Sequence, residues 1–471
     1  MNPFGTSRIR LWSIGSFGAT VLILFAALTG SKLLAQDASY RPPKVALLDG
    51  GPKAIYSSDP DDSWNRIFYY LFSRRIETRL SEQFPEGAPF VDGVSTRLFE
   101  RDEIGDRAID PLYPSNFANS GKYLVLTDPA YANFKKALQD ALDDNVQRSP
   151  VARALMQSDL WGAHDIVFVP FPRGNEKDLE QRRAIVLDLI SRLIKKIALT
   201  PEEIKSLPDN YSAALREHSF PDVFAKASEW TEVLWFYPRA HDDLAGFRRT
   251  SRVFLKLKEP RRDVQTFLNG IPDRQESNPI SGLHGVALVT QLLLIDSNGQ
   301  LEPTSLTSEI QVRLFETVNR DSIKPNDGTL KATDGTFERA RLQVCEINRQ
   351  LFLREPASGG LVQEDNNSRA YGGHYGFAEG EPVGQGGPNL SMMVTSPVQV
   401  TLRARCAFCH GDGLTQLMTF AIARAPHSHP PPVKQLNSSE HETAKLAIEQ
   451  KEKQKEFQAL LAYFDRRIVR H

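Results

Sequence analysis

The sequence predicts a mainly α-helical protein with a β-rich middle section. Three observations carry that expectation. From residue 61 to about 257, apolar residues recur mostly at three- and four-residue spacing, the mark of helices with one buried face. After about residue 275 the texture changes to continuous or alternating apolar runs, which suit strands. A final helical pattern closes the chain after Ser439.

The elements follow in order. Residues 37–60 read as an extended leading segment, broken at Pro42-Pro43 and Asp59-Pro60. Asp61, Asp62 and Ser63 can cap a helix carrying Trp64, Ile67, Phe68, Leu71, Ile76 and Leu80. A second helix starts near Pro129 with Phe134, Ala137, Leu138 and Leu142 on one face. A third starts at Ser149-Pro150, where proline suits the first helical position. Residues 176–199 give the clearest helix, with Ile185, Val186, Leu189, Ile190, Leu193 and Ile194 on one side and Arg and Lys on the other. Thr200-Pro201-Glu202-Glu203 opens a short helix: a capping threonine, a first-turn proline and acids near the positive helix end. Residues 220–257 read as helical with breaks at Pro238 and Asp242.

In the β-rich section, residues 286–295 form a strand pattern and Asp296-Ser297-Asn298-Gly299 a turn. Residues 310–315 alternate, and residues 340–347 suit another strand. Residues 371–388 have the glycine content of a linker, and no P-loop lysine accompanies them. In the closing helix Ser439 and Glu442 make a capping-box pair, and Phe457, Leu460, Leu461 and Phe464 form one apolar stripe. The domain expectation is a signal peptide at 1–35, a helical domain at 36–274, the β-rich section at 275–370, a glycine-rich linker at 371–399 and a C-terminal segment at 400–471.

Composition bounds the function. A chain of 471 residues with 41% hydrophobic and 24% charged residues is long enough for several packed cores. A formal net charge of -1 gives no global field for nucleic acid, so no nucleic-acid partner is expected. Arg8 and Arg10 precede an apolar, charge-free run at 14–28, and Ala35 offers a small residue for cleavage. The pattern predicts export to the periplasm or the outer face of the inner membrane, with a membrane role only if the segment stays uncleaved. Three cysteines exclude a disulfide framework, and Cys345 reads as a small buried apolar residue.

One motif carries specific chemistry. Arg405-Cys406-Ala407-Phe408-Cys409-His410-Gly411 contains C-x-x-C-H. Two thiols at this spacing reach the two vinyl groups of a haem, and the following imidazole reaches the iron. On these residues the segment 400–471 resembles the c-type cytochromes. The resemblance implies one covalent haem c on Cys406 and Cys409, with His410 as proximal iron ligand. It also implies a small helical cytochrome-c-like segment, its closing stripe packed over the haem, and a redox partner protein. Among candidates for the sixth ligand, His429 and His427 are better placed than Met393, Met392 or Met418. Against the family's pattern, no helix precedes the motif, since residues 396–402 look extended, and the usual later methionine is absent. A small redox disulfide and a zinc site that includes His427 or His429 stay open as other uses of the pair.

Three functions follow from the motif: electron transfer, a haem enzyme with an open sixth site, or a secreted binding or structural protein. Residues 40–370 contain no HExxH, GxSxG, Walker or dinucleotide motif. His164-Asp165 and His241-Asp242-Asp243 read as surface or capping groups, and Trp230, Trp235 and Tyr237 as core residues on a helix.

Overall fold

Helices dominate the first half of the chain and an antiparallel sheet the middle, as the sequence predicts. The computed structural model describes residues 45–47, 50–76, 107–108, 119–168, 177–225, 228–234, 248–259, 263–269, 282–318, 329–331, 337–363, 369–371, 399–401, 434–435 and 442–465. The N-terminal segment read as an export signal, most of the glycine-rich stretch, His241 and its neighbours, and the Cys406, Cys409 and His410 motif lie outside these residues.

The helical layer is built from α1 (Ser63–Phe72), α2 (Asn119–Leu126), α3 (Ala130–Asp143), α4 (Pro150–Phe168) and α5 (Lys177–Ile197). The short helices α6 (Pro201–Lys205) and α7 (Asn210–Ala214) follow. Asp62 caps α1 by accepting from the Trp64 N–H at 2.9 Å. One turn on, buried Asn65 fastens the leading segment: its Oδ1 accepts from the N–H groups of Ile55 and Tyr56 at 3.0 and 2.7 Å. The capping box at α6 forms as predicted, with Thr200 and Glu203 exchanging hydrogen bonds. Adjacent lysines on α5 cap two other helices, each at the negative end of its dipole. Lys196 donates to the carbonyls of Ala141 and Leu142 at the end of α3. Lys195 donates to those of Tyr463 and Phe464 at 3.0 and 2.9 Å.

The sheet has eight strands, in the order β10-β9-β7-β6-β5-β4-β13, with β8 paired to β9. Its long members are β5 (Arg249–Leu257), β6 (Leu283–Ile295), β7 (Leu301–Val318) and β9 (Phe337–Ile347). The shorter ones are β4 (Trp230–Leu234), β8 (Thr329–Lys331), β10 (Leu361–Gln363) and β13 (Lys434–Gln435). Elsewhere, β1 (Val45–Leu47), β2 (Arg74–Ile76) and β3 (Arg107–Ala108) form a three-stranded sheet, and β11 (Arg369–Tyr371) pairs with β12 (Gln399–Thr401). The turn between β6 and β7 forms where predicted. Asp296 Oδ1 accepts from the N–H groups of Asn298 and Gln300 at 2.9 and 2.7 Å, and Gly299 takes φ +83°.

The sheet corrects the helical reading of residues 220–257: β4 and β5 lie there. Trp230 is core, as expected, but on a strand. It packs so closely that a Cβ on Gly285 would lie 2.7 Å from its ring. Thr231, Val233, Thr250 and Val253 are β-branched, and Val233 pairs directly with Val253. Branched residues in register on neighbouring strands outweigh a loose helical spacing of apolar positions.

Two apolar clusters sit on either side of α4. One joins α1, α3, α4 and α5 to Leu293, Ile295 and Leu301 at the tip of the β6–β7 hairpin. The other packs Leu155, Leu207, Tyr211 and Phe220 on Phe254, Ala287, Val289, Ile310, Val312 and Cys345 of the sheet. Thirteen of the 19 residues of α4 are buried, so it is a core helix rather than an amphipathic surface one. The C-terminal pair α10 (Glu442–Glu452) and α11 (Lys455–Asp465) closes the first cluster with Phe457 and Leu460. The polar stretch at 449–456 breaks into a turn between these two helices. Here α8 (Val264–Asn269) and α9 (Arg349–Arg354) complete the described helices.

Gln157 joins the layers. Its amide donates to the Ile295 carbonyl and accepts from the Ile295 N–H, both at 2.8 Å and both buried. Replacing it by leucine leaves two buried backbone groups unpaired, each worth about 1–3 kcal/mol. Urea unfolding of Gln157→Leu should show a loss of about 2–4 kcal/mol. A loss below about 0.5 kcal/mol would mean that the hairpin tip is held by packing alone.

Candidate functional site

A helix buried around its circumference cannot leave its polar side chains in water. Each polar group on α4 must therefore find a partner on another element. Asp159 and Asp165, two turns apart, draw in segments from both ends of the chain.

Asp159 meets the Arg349 guanidinium at the start of α9. Arg349 Nε and Nη2 donate to its two oxygens at 2.6–3.2 Å. The Tyr56 hydroxyl donates to Asp159 Oδ2. Burial pushes the Asp159 carboxyl up, against the pull of Arg349 and Tyr56. Burial and then the Asp159 charge raise the Tyr56 phenol well above its ordinary value, so it stays a hydrogen-bond donor.

Asp165 lies 8% exposed between two cations. Lys451 Nζ of α10 donates to its Oδ2 at 2.7 Å and Arg248, just before β5, does so at 2.9 Å. His164 Nδ1 stands 3.4 Å from Oδ1. Burial alone would raise this carboxyl, but the charge on Lys451, the His164 hydrogen bond and the charge on Arg248 together hold it far below the usual carboxylate range. Burial pulls the Lys451 ammonium below its ordinary value, while Asp165 supports its charge. Lys451 is 0% exposed and sits 5.3 Å from the centre of the Trp161 ring, a favourable cation–π distance.

The seam continues onto the sheet. Ser251 of β5, Thr290 of β6, Glu309 of β7 and Glu346 of β9 stand directly opposite one another in successive ladders. They form one row across one face, with neighbouring Cβ atoms about 5 Å apart. All four are buried. Gln311 Nε2 donates to Glu309 Oε1 at 2.5 Å, and Arg249 lies in the electrostatic field of Glu309 and Glu346. The Ser251 and Thr290 hydroxyls have no hydrogen-bond partner among the described residues. A register shift in the β6–β7 ladder follows Thr290 immediately. Such bulges re-aim side chains and are common beside functional sites.

These findings correct several expectations. His164 and Asp165 are buried, not surface groups, because α4 has no surface face to hold them. Sequence reasoning missed the seam, although Gln157, Asp159 and Asp165 inside an otherwise apolar helix were its signal. Cys345 is free and buried, as expected.

The cytochrome reading is overturned. Among the described residues no three of His, Cys, Asp and Glu are grouped to hold a metal ion, and Cys345 is the cysteine they contain. The stripe expected to pack over a haem instead enters the protein core: the Phe457 ring lies 5.7 Å from that of Trp161. The resemblance to c-type cytochromes, the haem c expected on Cys406, Cys409 and His410 with His429 or His427 as distal ligand, and electron transfer as the function are withdrawn with it. All five of those residues lie outside the described ones. No protein-family model, curated protein or solved structure matches the chain. Among the described residues no helix is long and apolar enough to cross a membrane.

The depressed Asp165 carboxyl sets a pH dependence. Its stabilisation is present above the ordinary aspartate range, near pH 4, and is lost as the pH falls below that range. Asp165→Asn should lower stability at pH 7 by about 3–5 kcal/mol, because buried Lys451 then keeps only the more distant Glu456 carboxylate at 3.7 Å. The same variant should also flatten the acid limb of the stability curve below pH 4. An acid limb as steep as that of the unchanged protein would assign the pH dependence to other carboxylates.

Proposed function

We propose that the chain is an exported binding protein that holds a small polar ligand on the Ser251–Thr290–Glu309–Glu346 row. One observation carries this reading. Among the described residues, two adjacent buried hydroxyls of the row, those of Ser251 and Thr290, lack hydrogen-bond partners. Each such group costs about 1–3 kcal/mol when left unmade, and an occupant would recover that. The near-neutral chain argues for a ligand or protein partner rather than nucleic acid. Arg8, Arg10 and the apolar run at 14–28 support export, with residence in the periplasm or on the outer face of the inner membrane.

Native mass spectrometry of full-length protein purified from the exported fraction tests the reading. The expected result is a small-molecule adduct that leaves on unfolding. A chain found only in the cytoplasm overturns the export half, and a bare chain mass overturns the binding half.

A further inference from the structure

The oxygens of the row narrow its ligand. We infer that it takes a calcium ion, held by Thr290, Glu309 and Glu346. This inference rests on the binding reading above.

Every side chain of the row meets an occupant through oxygen. Two hydroxyls, Ser251 and Thr290, are followed by two carboxylates, Glu309 and Glu346. Hydroxyl and carboxylate oxygens both offer lone pairs. An occupant that takes lone pairs along its whole contact is a cation, and one that takes them from oxygen alone is a hard cation. No histidine or cysteine stands in the row, which excludes the metals that seek nitrogen or sulfur. The row has two acids, so hydroxyls rather than a third acid complete its donor set. Thr290 is 2% exposed, stands directly opposite Glu309, and its hydroxyl has no hydrogen-bond partner among the described residues. Gln311 holds one Glu309 oxygen at 2.5 Å and so fixes the carboxylate beside it. Ser251, one strand farther along the row, is in place to meet a water of the ion.

Size and charge select the ion. Facing side chains on neighbouring strands stand about 5 Å apart. An ion with its oxygens at about 2.3–2.6 Å, the calcium distance, bridges that gap and needs no cavity of molecular size. Magnesium, at about 2.0–2.1 Å and reluctant to shed its water, does not suit buried side chains. Glu309 and Glu346 face each other as like charges, an opposition that a cation between them relieves. Of the arginines around the row, Arg248 is paired with Asp165 and Arg349 with Asp159, and Arg313 donates to the Gln311 oxygen at 3.3 Å. Arg249 acts on both glutamates through charge rather than through a hydrogen bond. It weakens the pull on a divalent ion, which places the affinity in the range of extracellular calcium modules, about 10⁻⁴–10⁻³ M.

The test uses the full chain, stripped with EGTA and titrated with calcium, magnesium or sodium chloride at constant ionic strength. Isothermal calorimetry and thermal unfolding read the binding, each variant against its own calcium-free state. Calcium should bind with a stoichiometry of about one and raise the unfolding temperature, with magnesium and sodium at least about tenfold weaker. Thr290→Val keeps the branched shape of the strand residue and removes the hydroxyl, so it should weaken calcium about tenfold. Glu309→Gln keeps the side-chain length and removes the charge, and should weaken calcium further. Asp143→Asn, at an exposed acid of α3, should leave calcium binding unchanged. Unchanged calcium affinity in Thr290→Val and Glu309→Gln overturns the row as the site. A stronger response to magnesium or sodium overturns the choice of ion. No calcium response up to about 10 mM, beyond the weak end of the extracellular range, overturns the inference outright. After that last result the binding reading still stands if native mass spectrometry shows another adduct that Thr290→Val removes, and it falls as well if the chain mass is bare.

Discussion

The structure depends on one constraint: α4 is surrounded. A helix with solvent on one side can turn its polar residues outward, but α4 has an apolar cluster on each flank and no such freedom. Its polar groups must be met from elsewhere, and they are met by segments far apart in sequence. Gln157 takes the end of β6, Asp159 takes Arg349 and Tyr56, and Asp165 takes Arg248 and Lys451. The desolvation of these groups is costly, so each pair is worth little over an apolar substitute but much over a broken pair. That asymmetry favours one arrangement of the layers over others. Sliding α4 by one turn would separate both aspartates from their partners at once.

The helical layer was legible wherever one face of a helix is wet. α5 shows this best, since Ile185, Val186, Leu189, Ile190, Leu193 and Ile194 follow the helical period against a basic opposite face. The β6 strand and its turn were legible because a continuous apolar run met a strong Asp-Ser-Asn-Gly signal. β4 and β5 were not, because Val233 gains its strand character from Val253, a residue twenty positions away that no local window contains. The seam was hidden for the same reason. His164-Asp165 looks like a surface pair until both apolar flanks of α4 are filled, and those flanks belong to elements on either side of it in sequence.

The closing helix teaches a different lesson. Phe457, Leu460, Leu461 and Phe464 were expected to form an apolar stripe, and Phe457 and Leu460 are buried as such a stripe requires. A stripe specifies that a surface is covered, not what covers it. Read beside a cysteine motif, it suggested a haem face, whereas in the fold it lies on Trp161 and the cluster around α5. Burial patterns are local properties of a sequence, and partners are not.

Asp159 and Asp165 sit six positions apart, yet they tie Tyr56 near one end of the body to Lys451 near the other. The chain is in effect fastened into a ring at a single helix. Its defining contacts span nearly the whole polypeptide, which is the topology of slow folding. During synthesis α4 emerges before Lys451, so Asp165 meets its second cation only after 286 further residues have been made. The ring thus stays open until α10 is made, and the contact that closes it is among the most distant in sequence that α4 makes.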